Sequence, residues 1–272
     1  MFLEDFAKRV LAEDIGRGDL FEKIAIPKDA EAKIIAKSSG VLAGVKYANA
    51  IAKIVNLDIS WLKNDSDFFE IGDLIAIVKG KSTDILKSER SILNTILHAS
   101  SIATNTSKFV EKLKDTNIKI LDTRKTRPML REFEKYAVIC GGGHNHRLGL
   151  DDCLMLKDTH LKTVKNLKDF LKEARKKIPF TSKIEIECEN FDMACEAMRA
   201  GADIVMCDNM EVDEIKKVTK FRDENYPHIL IEASGNVTLE NIDRFIGSGV
   251  DAISSGSLVH HAIWPDISMK ML

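Results

Sequence analysis

Residues 184–209 read IEIECENFDMACEAMRAGADIVMCDN, and this stretch decides the fold. Ile184–Cys188 and Ile204–Cys207 are short apolar runs of strand length. Between them Phe191, Ala194, Ala197 and Met198 repeat at the spacing of one helix face, and Gly201 stands where that helix ends. Strand, helix and strand in succession imply a parallel pair joined by a right-handed crossover.

The same rhythm extends in both directions. Further apolar runs lie at Ile118–Leu121, Cys153–Leu156, Ile229–Ile231 and Ala252–Ser254. Leu167, Phe170, Leu171, Ala174 and Ile178 form one helical face. Leu239, Ile242, Phe245 and Ile246 form another, opened by Thr238 and closed by Gly247 or Gly249. Six such units are too few for a closed eight-fold barrel, which takes about 250 residues. The reading is α/β, with an incomplete or open barrel; a doubly wound open sheet is the alternative.

Before residue 110 the style changes. Phe2, Phe6 and Val10 predict a helix over 2–12. Ala32–Ala36, Ile59–Leu62 and Leu74–Val78 read as strands, with a helix over Tyr47–Val55. From Ser88, a candidate N-cap, to Leu113 the pattern is helical. The expected division is an N-terminal α+β domain over 1–110, joined by 261–272, and the barrel over 111–260.

Composition excludes several classes. With 44% hydrophobic and 30% charged residues the chain is an ordinary globular protein. A net charge of −2 argues against nucleic acid as a partner. Met1–Asp19 lacks the features of a signal peptide, and no apolar run is long enough to span a membrane. Five cysteines, none in a Cys-x-x-Cys pair, point away from a disulfide framework and toward a reducing cytoplasm.

In parallel α/β folds ligands bind at the carboxyl ends of the strands, and here those ends carry chemistry. After Ile118–Leu121 comes Asp122-Thr123-Arg124-Lys125-Thr126-Arg127, an anion clamp or else an exposed basic loop. Gly141-Gly142-Gly143 leads into His144-Asn145-His146-Arg147, where glycines permit close backbone approach to a ligand or simply a turn. Zinc on His144 and His146 would lack a further carboxylate or cysteine at ligand spacing. Lys157 follows the next strand; its bland reading is a surface lysine. Glu185 and Glu187 share one strand face, and Glu187 with Asp208 on the next strand suits Mg2+ or ribose hydroxyls. Pairing with the basic cluster is the structural alternative. Ser234-Gly235-Asn236 and Ser255-Gly256-Ser257, each expected to precede a helix, suit phosphate, or are two tight turns.

Taken with Glu134-Lys135-Tyr136-Ala137-Val138, His146-Arg147-Leu148-Gly149-Leu150, Lys157-Asp158 and Glu232-Ala233-Ser234-Gly235-Asn236, these motifs resemble the quinolinate phosphoribosyltransferases. Ala12-Glu13-Asp14-Ile15-Gly16-Arg17-Gly18-Asp19 and Gly249-Val250-Asp251 also fit, so the likeness covers nearly the whole chain. It implies an N-terminal α/β sandwich and an open barrel of about seven strands. It implies transfer of the phosphoribosyl group of phosphoribosyl pyrophosphate to quinolinate, with decarboxylation to nicotinate mononucleotide, and Mg2+ as cofactor. It also implies a homodimer, open to larger assemblies, in which Arg90 completes the partner's site. By position, Arg124, Lys125, His146, Arg147 and Lys157 would line the quinolinate pocket. Glu187 and Asp208 would serve ribose and Mg2+; Ser234, Gly235, Gly256 and His260 would hold phosphate. Lys125 and Lys157 are the candidates for assisting decarboxylation, with Glu187 and Asp208 completing the catalytic set. One departure is Thr159, where the family commonly has Asn. Competing readings are a related enzyme for another acid, a non-catalytic nucleotide-binding regulator, and a nucleic-acid binder built on the basic loop. Four cations favour a dicarboxylate over a monocarboxylate.

Overall fold

In the computed structural model, which describes residues 3–272, the chain divides into two compact units. The first holds the chain up to Ser107 together with Glu132–Gly142 and His261–Leu272. The second holds Lys108–Arg131 and Gly143–His260. The helix expected over 2–12 is α1 (Leu3–Ile15), with Phe6 buried; Phe2 lies outside the described residues.

The chain continues through β1 (Asp29–Ala36), β2 (Gly40–Val41), α2 (Val45–Ile54), β3 (Asp58–Trp61), β4 (Phe68–Phe69) and β5 (Leu74–Lys81). β1 pairs antiparallel with β5, and β5 with β3. The burial of β1 alternates, with Ala32, Ile34 and Ala36 inward, because successive side chains of a strand point to opposite faces. The long helix α3 then runs Ser82–Leu113. It begins six residues before the expected N-cap. Ser88 is mid-helix, its hydroxyl donating to the carbonyl of Asp84 at 2.7 Å, the back-bond open to a serine inside a helix.

The second unit carries β6 (Lys119–Leu121). After it, α4 (Arg131–Cys140) falls mainly within the first unit, although the sequence division gave it to the barrel. The reason is aromatic packing: Phe133 stacks on Phe6 at 5.0 Å between ring centroids and meets Tyr47 edge-on at 4.8 Å.

Then follow β7 (Leu154–Leu156), α5 (Asp158–Leu161), α6 (Leu167–Arg175), β8 (Ile184–Cys188), α7 (Phe191–Ala200), β9 (Ile204–Asp208), α8 (Val212–Asn225) and β10 (Leu230–Ser234). A 3-10 turn at Ile242–Phe245 leads to β11 (Ala252–Ser254), α9 (Ser257–His260) and β12 (Ile267–Met271). The helix expected around Leu239–Ile246 is only this turn: Asn241 folds its side chain back onto the Thr238 N–H at 2.9 Å, and Ile246 faces solvent.

β6–β11 form one parallel sheet in the order β6-β11-β10-β9-β8-β7. The fold class is therefore the open α/β arrangement read from the sequence. Six strands are regular; the nearest thing to a seventh is the single parallel bridge between Leu121 and His144. Gly201 ends α7 at φ 94°, its N–H bonded to the carbonyls of Ala197 and Met198. Val205, Cys207, Ile231, Ala233 and Ile253 are wholly buried. Each large aliphatic side chain among them stabilises the sheet by about 1.5–3 kcal/mol relative to an exposed position. β12 pairs with β1, so the first unit contains both early and late strands. Among the described residues no helix is long and apolar enough to cross a membrane, and all five cysteines are free.

Candidate active site

A cavity of about 360 Å³ opens at the carboxyl ends of the parallel strands. Nine of the expected residues line it. Arg124 and Lys125 come from beyond β6, His146 and Arg147 from the following loop, and Lys157 from the end of β7. Glu187, Asp208, Ser234 and Gly235 come from β8, β9 and the end of β10. Gly256 and His260 are not on the wall but adjoin it: a methyl group built on Gly256 would stand 3.1 Å from both His260 Nε2 and Lys125 Cδ. Arg90 lies elsewhere, in the first unit on α3, with its side chain more exposed than buried.

The cationic wall is held from behind. Asp122, fully buried, accepts from the Asn145 side chain at 2.7 Å and from the His146 backbone N–H at 2.9 Å. The His144 N–H donates to the Ile120 carbonyl of β6, and the Asp122 N–H donates to the His144 carbonyl. This clamp fixes where His146 and Arg147 point. Arg147 donates to the carbonyl of Cys153 at 3.3 Å. Arg124 buries its Nε with no hydrogen-bond partner, and burial beside Arg147 and Arg131 lowers its pKa. A guanidinium so placed is short of an anion, since a buried donor without an acceptor costs about 1–3 kcal/mol.

Below the cavity floor, His146 Nε2 lies 3.2 Å from Glu185 and 3.3 Å from Glu232, both buried. Burial alone would lower the pKa of the ring, but the two carboxylates raise it to about 10. The Arg147 N–H, 2.7 Å from Nδ1, pulls the other way by favouring a lone pair there. The carboxylates prevail, because full charges in a buried site outweigh one amide dipole. Glu232 is raised in turn, chiefly by burial. Among the described residues, these three side chains are the group whose ligand atoms cluster closely enough for a metal. Here hydrogen bonds hold them together, and His144 takes no part.

Lys157 pairs with Glu187, so the acid's partner is this lysine and not the basic cluster at 124–127, and both line the cavity. Asp208 accepts from its neighbour Asn209 at 2.9 Å. Two carboxylates on successive strand ends, facing one cavity, form the hard oxygen donor set that suits Mg2+ with substrate phosphates as further ligands.

Of the two readings the sequence left open for the glycine run, the structure shows the turn. Gly141 packs on α3, where an added Cβ would collide with the Ala103 carbonyl and stand 2.6 Å from Thr106 Cβ. The run ends α4 and lies off the cavity wall. Nor do the small-residue loops open long helices: Ser234–Asn236 leads to the 3-10 turn, and Ser255–Ser257 to a single turn. Ser255 and Ser257 donate their hydroxyls to the Val237 carbonyl.

Sequence reasoning missed Asp122, Glu232 and Asn209 as site residues. The alternation of Ile231, Glu232 and Ala233 within a buried strand was the available signal for Glu232, an acid among apolar neighbours.

The family described as quinolinate phosphoribosyl transferase, N-terminal domain, matches residues 19–100, and its C-terminal domain matches residues 102–270. A protein of Bacillus subtilis, named probable nicotinate-nucleotide pyrophosphorylase (carboxylating), is 40% identical over 99% of this chain and 93% of its own. The rat protein named nicotinate-nucleotide pyrophosphorylase (carboxylating) is 36% identical over 89% of this chain and 82% of its own. Among solved structures, NadC from Streptococcus pyogenes superposes with a TM-score of 0.93 at 38% identity, covering 99% of this chain and 96% of its own. The nicotinate-nucleotide pyrophosphorylase of Francisella tularensis gives 0.91 at 34% identity, with 99% and 96% covered.

Proposed function

The chain belongs to the quinolinate phosphoribosyltransferase family, and we propose that the cavity described above is where its reaction takes place. The enzyme transfers the phosphoribosyl group of phosphoribosyl pyrophosphate to quinolinate and releases carbon dioxide and pyrophosphate, giving nicotinate mononucleotide for NAD biosynthesis. The observation that supports this assignment of the site is the make-up of one wall. Arg124, Lys125, Arg147 and Lys157 gather four cations in a cavity that also holds Glu187, Asp208 and the Ser234-Gly235 loop.

In this reading Arg124 and Arg147 take the two carboxylates of quinolinate, with His146, Lys125 and Lys157 beside them. Guanidinium groups chelate carboxylates through paired hydrogen bonds and so fix the plane of the ring. The ring nitrogen then faces the anomeric carbon of the phosphoribosyl group, which Glu187 and Asp208 hold by its hydroxyls. Ser234, Gly235, Gly256 and His260 hold phosphate. Orienting both reactants is worth up to about 7–11 kcal/mol of barrier. Mg2+, held through Glu187 and Asp208, would supply charge neutralisation for the departing pyrophosphate.

As the C–O bond to pyrophosphate breaks, the C–N bond to the ring forms and the pyridine nitrogen becomes cationic. The 2-carboxylate leaves as carbon dioxide, and its electron pair stays on the ring carbon beside that nitrogen. A proton from Lys157 or Lys125 replaces it. Lys157 is paired with Glu187, so binding at Glu187 would change the partner of this lysine as well.

We further propose a homodimer in which Arg90 reaches the partner's cavity, as its exposure in the first unit leaves it available to do. The free thiols accord with a cytoplasmic location.

Incubation of purified protein with quinolinate, phosphoribosyl pyrophosphate and Mg2+, followed by mass spectrometry, tests the reaction. Nicotinate mononucleotide is expected from quinolinate and not from nicotinate in a parallel incubation. Product from nicotinate alone would overturn the dicarboxylate assignment.

A further inference from the structure

Asn209 touches two parts of the cavity at once. It directly follows Asp208 at the end of β9 and has a left-handed backbone, φ 52°. Its N–H donates to the Ser234 carbonyl at 3.0 Å. Its side-chain Nδ2 donates to Asp208 Oδ2 at 2.9 Å, and its Oδ1 accepts from Asn236 Nδ2 at 3.1 Å. Asn236 is left-handed too, φ 49°, and its carbonyl accepts from the Asn241 side chain at 2.9 Å.

Chemistry fixes which way the amide faces. An ionised carboxylate only accepts, so the nitrogen end must meet Asp208 and the oxygen end must meet Asn236. Gly235 supplies the room. A Cβ there would collide with the Asn209 amide and stand 2.6 Å from its backbone nitrogen. The Asn209 side chain therefore lies flat against the Ser234–Asn236 loop while gripping the acid that precedes it at the end of β9. Asparagine alone meets these demands: aspartate has no donor, alanine has neither end, and both asparagine and glycine tolerate the left-handed backbone.

We propose that Asn209 is a positioning residue that couples Asp208 to the Ser234–Asn236 loop, so that the ribose and a phosphate of the phosphoribosyl donor are gripped by one linked unit. The inference rests on the roles proposed above for Asp208 and for that loop. A residue that merely shaped the turn would use its backbone, and glycine would replace it without effect on either substrate.

Asn209→Gly keeps the backbone and removes both amide contacts. It should raise KM for phosphoribosyl pyrophosphate about tenfold while KM for quinolinate stays within about twofold. Asn236→Gly should act in the same direction, and the double variant should exceed Asn209→Gly by less than about twofold, because both residues lie on one chain of contacts. Asn209→Asp, which keeps the volume and sets a carboxylate against Asp208, should weaken the same KM at least as much, and it serves where the glycine variant does not fold. Asp208→Ala is the reference. If it raises the donor KM while both Asn209 variants leave that KM within twofold, the coupling is wrong and the site reading stands. Equal rises in both KM values would make Asn209 structural and overturn the coupling. A donor KM unmoved by Asp208→Ala would overturn the site reading and the coupling with it.

Discussion

Glu232 meets His146 inside the parallel sheet, its Oε2 3.3 Å from the imidazole Nε2. Glu185 meets the same nitrogen at 3.2 Å. Both His146 and Glu232 have raised proton affinity in the folded protein. Through these two groups the native state binds more protons than the unfolded chain, and their contribution to stability falls as pH rises. The histidine contribution is complete below its unfolded pKa of about 6.5 and is lost as pH climbs toward its folded value of about 10. Urea denaturation between pH 6 and 10 should show this decline, and a Glu185→Gln, Glu232→Gln double variant should flatten it. Parent and variant with the same slope would assign the decline to other groups.

Arg124 buries an Nε that lacks a partner. Lysine at this position would keep the charge but lose the fork that grips a carboxylate at two points. Arg124→Lys should weaken quinolinate binding by about 1.5–3 kcal/mol, read by calorimetry, with little change in thermal stability. Unchanged affinity would remove Arg124 from the quinolinate contacts.

Arg147→Ala should weaken quinolinate binding by about 2–4 kcal/mol, the scale of leaving a partner charge unpaired, and leave binding of phosphoribosyl pyrophosphate intact. Calorimetry with each ligand separates the two; equal losses for both would place Arg147 in the general architecture of the pocket.

Gly141→Ala should destabilise the protein by about 1–3 kcal/mol, because its Cβ would meet the backbone and Thr106 of a packed helix. Denaturant unfolding measures this directly. A neutral substitution would mean that α3 yields at this point.

The proposed dimer makes a complementation experiment decisive. Arg90→Ala and Lys157→Ala homodimers should both be nearly inactive. Subunits mixed and allowed to exchange should recover about a quarter of native activity, since half the dimers are mixed and each carries one intact site. No recovery despite demonstrated exchange would place Arg90 in its own subunit's chemistry.

Most of the site was legible in the sequence because strand ends are legible. Arg124, Lys157 and Asp208 each follow a short apolar run and Glu187 stands near the end of one, and a parallel sheet brings such ends to one edge. What stayed hidden depends on contacts between distant segments. Nothing near Glu134 says that Phe133 will stack on Phe6, which sends α4 to the first unit. Ser88 has the chemistry of an N-cap, and only the helical turn before it shows otherwise. The three glycines are as suitable for a ligand as for a helix end, and the proximity of α3 to Gly141 decides between them. Glu185 shares a face with Glu187, as alternation requires, but that it serves His146 depends on how deep each residue sits along β8.

The pairing of β12 with β1 has a consequence for the life of the chain. Ala32 waits for Met271, and Ala36 for Ile267, so β1 finds this edge partner only after the whole parallel sheet has been made. The intervening parallel sheet can assemble while the earlier unit still has an open flank. During synthesis that flank of β1 offers unpaired backbone groups to any passing strand. The order of manufacture thus sets a period of exposure that ends only when the C-terminal segment docks.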